Sequence, residues 1–502
     1  MIRVFFIAAA AILLLAAAKA PSVQYRLDVA RTGVKVDMSF RGEADGDTRL
    51  TIPEVLASDL AISGATVEAV GPTERLLRHP PGAKVRVRYA VEGPGQELSA
   101  LGEAVFAAPK GWEATAATVR WGRLPKGWRI VSDLEAAAGR QPLTVANVRR
   151  SIFLAGPALQ TAERPTAAGT VRAVTPKDDR LGAARLLEIA APAVGAMRAY
   201  WGHGAGPFLV ARTAASARWQ ARYDGFVAPP VSVPDAALQQ VLVETYMVDV
   251  LETRLGRAPA RPAEWLTGGI GKLLTDRALA RAGLLTAGDA VGRMADQDRA
   301  RDALSRGFIL ALKWDEDIRR KTGGRADLDD VILRMRDHYR EFPPGQGPDV
   351  VTGLVSAAWV VAKMDLRPDI ARYAEGGAPI TLPETLFDGC LDARVTVSPG
   401  FDSGFDHAGS AAAKAARGVR RGGPAWNSGL RDGMRIDAID LRPGDMTREI
   451  VLTVRPAKGR GRPRTLRYWP YGDNDVEART LQLAMDLSDE KLAACGRKLG
   501  GV

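Results

Sequence analysis

The spacing of apolar residues changes twice along this chain of 502 residues, and that change constrains the fold more than any other feature. Residues 23–29 and 84–91 alternate between apolar and polar, as half-buried strands do, so the region from about 22 to 165 is predicted to be β-rich. From about 170 to 385 the apolar residues recur three and four positions apart, which indicates helices. Alternation returns from about 392 to 475. A chain of this length with three such regions predicts a multidomain α+β protein.

The same spacing predicts individual elements in the middle and at the end of the chain. Helices are expected over residues 181–200, 236–255, 264–282, 287–321 and 328–339, with a last amphipathic helix over 476–495. Two short strands, 207–211 and 225–227, are expected before the second of these helices. The 52 glycines and 31 prolines follow no period, which excludes a repeat protein.

The first twenty residues have the composition of a secretory signal peptide, since Arg3 precedes an apolar run from Val4 to Ala18. Cleavage after Ala18 is favoured over cleavage after Ala20, because the latter would leave Pro21 at the new N-terminus. We therefore expect an exported bacterial protein, periplasmic or secreted; a membrane anchor that is not cleaved is the alternative. No later apolar stretch is long enough to cross a bilayer, so no stable membrane span is expected after cleavage.

Charge and cysteine content exclude several classes of protein. Lys and Arg outnumber Asp and Glu by 69 to 58, and this mild excess gives no indication of a nucleic-acid partner. Two cysteines, Cys390 and Cys495, cannot form a cysteine-based zinc site or a disulfide-dense scaffold. In an oxidising compartment they are candidates for one disulfide; two unpaired small apolar side chains are the alternative.

Several stretches of the helical region resemble one family of enzymes. Residues 241–247 read VLVETYM and residues 265–270 read WLTGGI, and they are similar to the L-x-H-E-x-x-H and W-x-x-E-G-F motifs of the glycyl aminopeptidase family of metallopeptidases (family sixty-one). Further stretches similar to that family are 281–286, 306–312, 315–319 and 322–331. The resemblance implies a mainly helical, thermolysin-like peptidase domain. The domain boundaries we expect are a signal peptide over 1–20, an N-terminal β-sandwich-like domain over 21–165, the degenerate peptidase domain over 166–388, a PDZ-like domain over 389–475 and a C-terminal helix over 476–502.

The resemblance also implies where catalytic residues would lie. In that family two histidines four residues apart and a glutamate on the next helix bind zinc, and the glutamate after the first histidine is the general base. Here Val243, Met247 and Gly268 stand at the three ligand positions, and Glu244 stands at the position of the general base. We therefore predict an inactive homologue of a zinc metallo-aminopeptidase, with no metal at this site and no cofactor. The alternative is an active metallo-aminopeptidase with a non-standard zinc site that uses Glu244 as general base.

Residues 418–436 resemble the V-x-x-G-S-P-A-x-x-A-G-L-x-x-G-D-x-I pattern of PDZ domains, which bind extended peptide ends by adding a strand to a sheet edge. The nearest match to the loop that binds the peptide carboxylate is residues 403–405, so Gly404 and Phe405 are candidate peptide contacts. The function expected is peptide or protein binding, or a scaffold role, through this PDZ-like domain. The alternative is a structural module without a ligand.

Overall fold

The computed structural model describes residues 21–54, 60–93, 98–134, 143–202, 206–261, 263–300, 302–342, 347–457, 461–485 and 487–501. The predicted signal peptide lies outside the described residues. The chain forms two compact units, the first of residues 1–290, 301–380 and 493–502 and the second of residues 291–300 and 381–492. The predicted multidomain α+β architecture, with a β-rich N-terminal region followed by a helical region, is confirmed.

Short strands dominate the N-terminal part of the first unit, as the alternating sequence predicts. They are β1 Ser22–Ala30, β2 Gly33–Arg41, β3 Asp47–Thr51, β4 Ala61–Ser63, β5 Thr66–Ala69, β6 Glu74–Arg78, β7 Lys84–Glu92, β8 Leu98–Leu101, β9 Ala108–Pro109, β10 Ala116–Trp121, β11 Arg129–Ser132 and β12 Ile152–Gly156, with one helix, α1 Val145–Arg149. Three sheets result, with strand orders β10-β1-β2-β7-β4, β5-β6-β3-β9 and β11-β12-β8. Alternate residues of β1, β2 and β7 point into a common apolar core, which includes Tyr25, Met38 and Val87.

A fourth sheet, of five strands, supports the helical region. Its strands are β13 Gln160–Thr166, β14 Gly169–Thr175, β15 Phe208–Arg212, β16 Gln220–Ala221 and β17 Gly225–Ala228. The order is β13-β14-β15-β17-β16, with the three central strands parallel and the two edge strands antiparallel to their neighbours. Strands β15 and β17 are buried along their whole length, which explains why their sequences are apolar runs rather than alternating ones, apart from Arg212 at the end of β15, which pairs with Asp179.

Helices follow and intersperse these strands. They are α2 Ala183–Trp201, α3 Asp235–Thr253, α4 Gly271–Arg281, α5 Ala287–Ala300, α6 Ala303–Thr322, α7 Leu328–Tyr339, α8 Val350–Ala362 and the short α9 Arg367–Asp369, with π-helical turns at Trp265–Ile270 and Ile370–Glu375. The helix predicted over 287–321 is two helices, because Asp302 caps a new helix by accepting the Ser305 amide at 2.7 Å. None of the helices among the described residues has the length and apolar character to cross a membrane.

The second unit is built from antiparallel strands and short helices. Its elements are β18 Thr385–Leu386, β19 Leu391–Phe401, α10 His407–Ala413, α11 Pro424–Asn427, β20 Arg435–Asp440, β21 Ile450–Arg455, β22 Arg464–Tyr468 and β23 Tyr471–Leu483. Two three-stranded sheets form, β18-β19-β23 and β20-β21-β22. A separate apolar core lies beside β20, β21 and β22 and includes Ala425, Leu452 and Leu466.

The last predicted helix begins later than expected. Residues 471–483 form strand β23, which pairs with β19 from Phe401 back to Leu391, and helix α12 covers only Asp489–Leu499. Pairing with a long partner strand decides the conformation here, and the local helical spacing of the sequence does not show that partner. The prediction of helix over 476–483 is therefore corrected to strand.

Candidate functional site

Helix α3 carries three of the four positions singled out from the sequence. Val243 and Met247, four residues apart, lie on the same face of the helix, and both are fully buried. Glu244 is on α3 as well and is partly exposed. Gly268 lies in the π-helical turn that follows, between α3 and α4. We call these four positions the α3 site.

Met247 is held by a polar contact that a core methionine does not usually make. The indole N–H of Trp201, at the end of α2, donates to its sulfur with Nε1 and Sδ 3.0 Å apart. Trp201 is itself fully buried, and a buried indole N–H needs a hydrogen-bond partner, a role that the methionine sulfur fills here. The methionine thus both fills the space beside α2 and satisfies the tryptophan.

Close backbone packing surrounds Gly268. A Cβ atom at this position would overlap the Leu304 side chain, and one at Gly269 would lie 2.7 Å from the Gly307 Cα. Gly307, on α6, has no room for a side chain either, because the carbonyl of Trp265 occupies that space. The π-helical turn and α6 approach each other through glycines, and a larger residue at 268 requires Leu304 to move.

Glu244 has no hydrogen bond or ion pair with any other described residue. The nearest charged cluster on the helix is one turn further on, where Asp249 pairs with Arg150 and Arg254. The arrangement leaves Glu244 a partly exposed carboxylate without a charged partner among the described residues. A carboxylate in this position can accept a proton, but nothing described around it positions a nucleophile.

The residues at the α3 site do not fit zinc, which takes imidazole, thiolate or carboxylate ligands. Valine and glycine offer no donor, the methionine sulfur already accepts the Trp201 N–H, and Glu244 supplies a single carboxylate, which is too few ligands for a zinc site. Among the described residues no group of three or more His, Cys, Asp or Glu side chains could hold a metal ion. His79 contacts Thr48 and Pro80, and His338 contacts Glu341; His203 lies outside the described residues.

A buried network of charges, which the sequence did not reveal as a unit, joins α4, α6 and α7. Arg277 is fully buried and pairs with Asp315 at 2.8 Å and with Asp329 at 2.7 Å. Arg281 also pairs with Asp329, and Arg319 pairs with Asp315 at 3.0 Å. Burial alone would raise the pKa of Asp315, but Arg277 and Arg319 hold it below its usual value.

Two further groups extend this network. Arg319 reaches Asp327, the N-cap of α7, at 2.6 Å, and burial together with Asp329 raises the pKa of Asp327 to about 6. The Tyr200 hydroxyl donates to Asp329 at 3.0 Å. Most of these residues lie in the stretches 281–286, 315–319 and 322–331, which the sequence singles out for another reason. Their charged residues were the signal that could have indicated the network.

The candidate peptide loop of the second unit is engaged within the fold. Gly404 has a φ of +76°, its N–H donates to Asp402 at 2.8 Å, and its carbonyl accepts from the Arg420 amide at 2.9 Å. Phe405 is 6% exposed and belongs to the core of this unit. Residues 407–413, which follow the loop, form helix α10. A peptide-binding role for Gly404 and Phe405 stays a prediction, and these contacts give both residues a structural role.

Both cysteines are buried and neither is a free thiol. Cys390 lies just before β19, and Cys495 lies in α12. The pairing of Cys390 with Cys495 stays a prediction from the sequence.

No protein-family model matches the sequence, and no curated protein matches it. Among solved structures, an aminopeptidase N family protein from Idiomarina loihiensis has a TM-score of 0.58 and 12% identity, covering 95% of this chain and 99% of that chain. An M1 zinc metallopeptidase from Deinococcus radiodurans has a TM-score of 0.49 and 13% identity over 73% of this chain and 96% of its own. Legionella pneumophila aminopeptidase A has a TM-score of 0.48 and 11% identity, over 92% of this chain and 56% of its own.

The first of these three structures carries the argument, and at 12% identity it shows the fold alone. The chain has an aminopeptidase N-like, metallopeptidase-like fold, and the prediction is confirmed at that level. The neighbours belong to a family related to the glycyl aminopeptidases, and the finer assignment stays a prediction. The expectation that the protein has no cofactor is corrected: structures similar to this chain include zinc metallopeptidases, while the described residues show no metal-binding group, so the sequence does not establish the cofactor. The metal content of this chain is a quantity to be measured.

Proposed function

We propose that the protein is an exported, peptidase-like binding protein that does not hydrolyse peptides at its α3 site. The observation that carries the proposal is the contact between Trp201 and Met247. Met247 stands where the motif would place a metal ligand, and its sulfur is instead engaged as the acceptor of the Trp201 N–H. Val243, fully buried on the same helix face, adds to it. Glu244 then has no activated water to deprotonate, and the general-base chemistry of the motif lacks its partner.

Aminopeptidase assays on the full chain test this proposal. The protein is purified without a histidine tag or chelator, its metal content is measured by elemental mass spectrometry, and hydrolysis of glycyl and alanyl fluorogenic amides is followed with and without added zinc. We expect no turnover above that of Glu244→Gln, the matched control that keeps size and removes the charge. Chelator-sensitive turnover that Glu244→Gln abolishes would contradict the proposal and support the active enzyme with a non-standard metal site.

Restoring ligands tests whether the α3 site corresponds to the metal site of the motif. The variant Val243→His, Met247→His and Gly268→Glu supplies two imidazoles one helical turn apart and a carboxylate. Leu304→Ala is added because a Cβ at 268 overlaps the Leu304 side chain. We expect about one zinc per chain, since a full set of zinc ligands supplies on the order of 10 kcal/mol of binding free energy. A folded variant that binds no more zinc than Leu304→Ala alone would reject the correspondence.

Binding of a peptide or protein partner through residues 389–475 is part of the same proposal. The PDZ-like sequence of residues 418–436 and the separate apolar core of this region support it. To measure this binding, we would screen the full chain against a library of peptides with free C-terminal carboxylates and against the same peptides with C-terminal amides. Capture of free acids over amides supports PDZ-type docking; equal capture, or none, contradicts that mode of binding.

A further inference from the structure

The outer face of α8 is unusually apolar for a helix at a protein surface. None of its 13 residues is charged. Its inner face, including Leu354 and Ala358, is buried, and Gly353 packs against Met335 of α7. The opposite face exposes Trp359 by 55% and Val360 by 53%. Apolar side chains of this size on an uncharged helix face indicate a surface that contacts something other than water.

Positive charges lie at the C-terminal end of the same helix. Lys363 follows α8, and its ammonium group lies 5.9 Å from the centroid of the Trp359 ring. Lys321, in the last turn of α6, donates to the Lys363 carbonyl at 2.6 Å, so the two lysines are neighbours. Neither lysine has an ion-pair partner among the described residues. Arg325, just beyond α6, is likewise exposed; its Nε donates to the Thr322 carbonyl at 2.8 Å, and it has no ion-pair partner within the described part of the chain.

The acidic groups near this face do not cancel those charges. Asp365 is paired with Arg367 at 2.8 Å. Asp349 caps the opposite end of α8 by accepting the amides of Val351 and Thr352, and ten residues of helix place it about 15 Å from Trp359. The end of α8 that exposes the tryptophan is therefore the cationic end.

We propose that Trp359, Val360, Lys363 and Lys321, the α8 face, dock on the surface of an anionic lipid bilayer. Tryptophan is favoured at the level of lipid headgroups because its indole ring is largely apolar and carries one polar N–H group. Lysines beside it extend towards anionic headgroups and add electrostatic attraction. With 13 residues α8 is about 20 Å long, too short to span the hydrocarbon core, so it lies along the surface. This inference goes beyond the proposed function, because it says where the protein acts whether or not the α3 site is catalytic.

A second copy of the chain fits this face less well. A stable dimer buries roughly 800 Å² on each partner around a charge-depleted centre. The α8 face is one side of a short helix and carries two lysines, which does not match a charge-depleted centre of that size. Anionic lipid instead neutralises these lysines.

Vesicle flotation with the full mature chain tests the proposal. Vesicles of phosphatidylcholine alone are compared with vesicles containing about a third phosphatidylglycerol. One basic residue near an anionic surface contributes about fivefold to the partition coefficient. We expect Lys321→Glu with Lys363→Glu to lower partitioning onto the anionic vesicles by at least tenfold, and Trp359→Ala with Val360→Ser to lower it at least threefold.

Matched variants separate this face from general charge and hydrophobicity. Lys35→Glu with Lys126→Glu changes the net charge equally at exposed positions elsewhere, and Trp469→Ala removes another exposed tryptophan. These controls should bind as the unsubstituted protein does, and circular dichroism should show all variants folded. No binding to anionic vesicles, or equal losses in the control variants, would overturn the proposal. A dimer seen by light scattering, lost in Trp359→Ala and accompanied by no vesicle binding, would assign the face to a second copy and overturn it as well.

Discussion

Arg277→Met is the substitution whose effect follows most directly from the packing of the helical region. Arg277 is fully buried and balances two buried carboxylates, those of Asp315 and Asp329. Methionine matches most of the volume of the side chain but leaves both carboxylates without their main cation. Removing one partner of a buried ion pair costs roughly 3–5 kcal/mol, because the remaining charge is uncompensated. Arg319 and Arg281 still contact these carboxylates, so we expect the lower half of that range.

Thermal unfolding followed by circular dichroism measures the loss. A change of 1 kcal/mol shifts the melting temperature of a domain of 150–250 residues by about 2–4 °C, so a loss of about 3–4 kcal/mol predicts a decrease of roughly 6–16 °C. Arg185→Met is the control, because Arg185 makes its two ion pairs while half exposed, and exposed pairs contribute about 0–1 kcal/mol.

A double-mutant cycle with Asp315→Asn decides whether the effect is electrostatic. Asparagine keeps an acceptor for the Leu328 amide, which the aspartate accepts at 2.9 Å, and removes the charge. The stability loss of the double variant should be smaller than the sum of the two single losses by more than about 1 kcal/mol, as for residues in direct contact. Additive losses, or a shift for Arg277→Met no larger than that of Arg185→Met, would refute the reasoning that the network holds α4, α6 and α7 together.

Three other predictions concern pH, the loop of the second unit and the cysteines. Burial raises the pKa of Asp133 to about 7, so the folded state holds its proton more tightly than the unfolded state. Asp133 therefore destabilises the fold progressively as pH rises from about 4 to about 7, by up to about 4 kcal/mol, and Asp133→Asn should flatten this loss in melting curves; an unchanged pH profile would contradict it. Gly404→Ala should destabilise the second unit by about 2–5 kcal/mol, because φ is +76° and the new Cβ would lie 2.5 Å from the Ala425 amide nitrogen. A loss of stability below about 1 kcal/mol, measured by urea unfolding, would contradict the structural role of this loop. Peptide mapping without reduction should find Cys390 and Cys495 in one linked peptide pair, and separate alkylated peptides would refute the pairing.

The sequence predicted strands and helices well where local spacing and burial agree. Helix α7 has the predicted ends, 328 and 339, because a capping box at Asp327 and a regular apolar stripe mark it locally. The spacing failed at 476–483, where the conformation depends on pairing with β19, some eighty residues earlier. It also failed to separate α5 from α6, since both helices have helical periodicity and the break depends on the Asp302 cap.

Less of the candidate site could be predicted. The sequence indicates that residues 243 and 247 share a helix face, because four residues make about one turn. It does not indicate that Trp201, some forty residues earlier, supplies the N–H that Met247 accepts. Nor does it indicate that Gly268 is packed against Leu304 of α6. Both contacts depend on how helices pack, and no local pattern records them.

Several of the stretches predicted from the sequence to resemble the metallopeptidases contribute to the buried charge network and not to the α3 site. Arg281, Asp315, Arg319, Asp327 and Asp329 all belong to the stretches that are similar to that family, and each of them makes an ion pair within the network. Such pairs fix how α4, α6 and α7 pack, whereas peptide hydrolysis would depend on donors along α3 and the following turn. The two sets of residues share no side chain. Similarity in these stretches therefore indicates a shared scaffold. Peptidase activity at this site depends instead on the residues at the α3 site, which are Val243, Glu244, Met247 and Gly268.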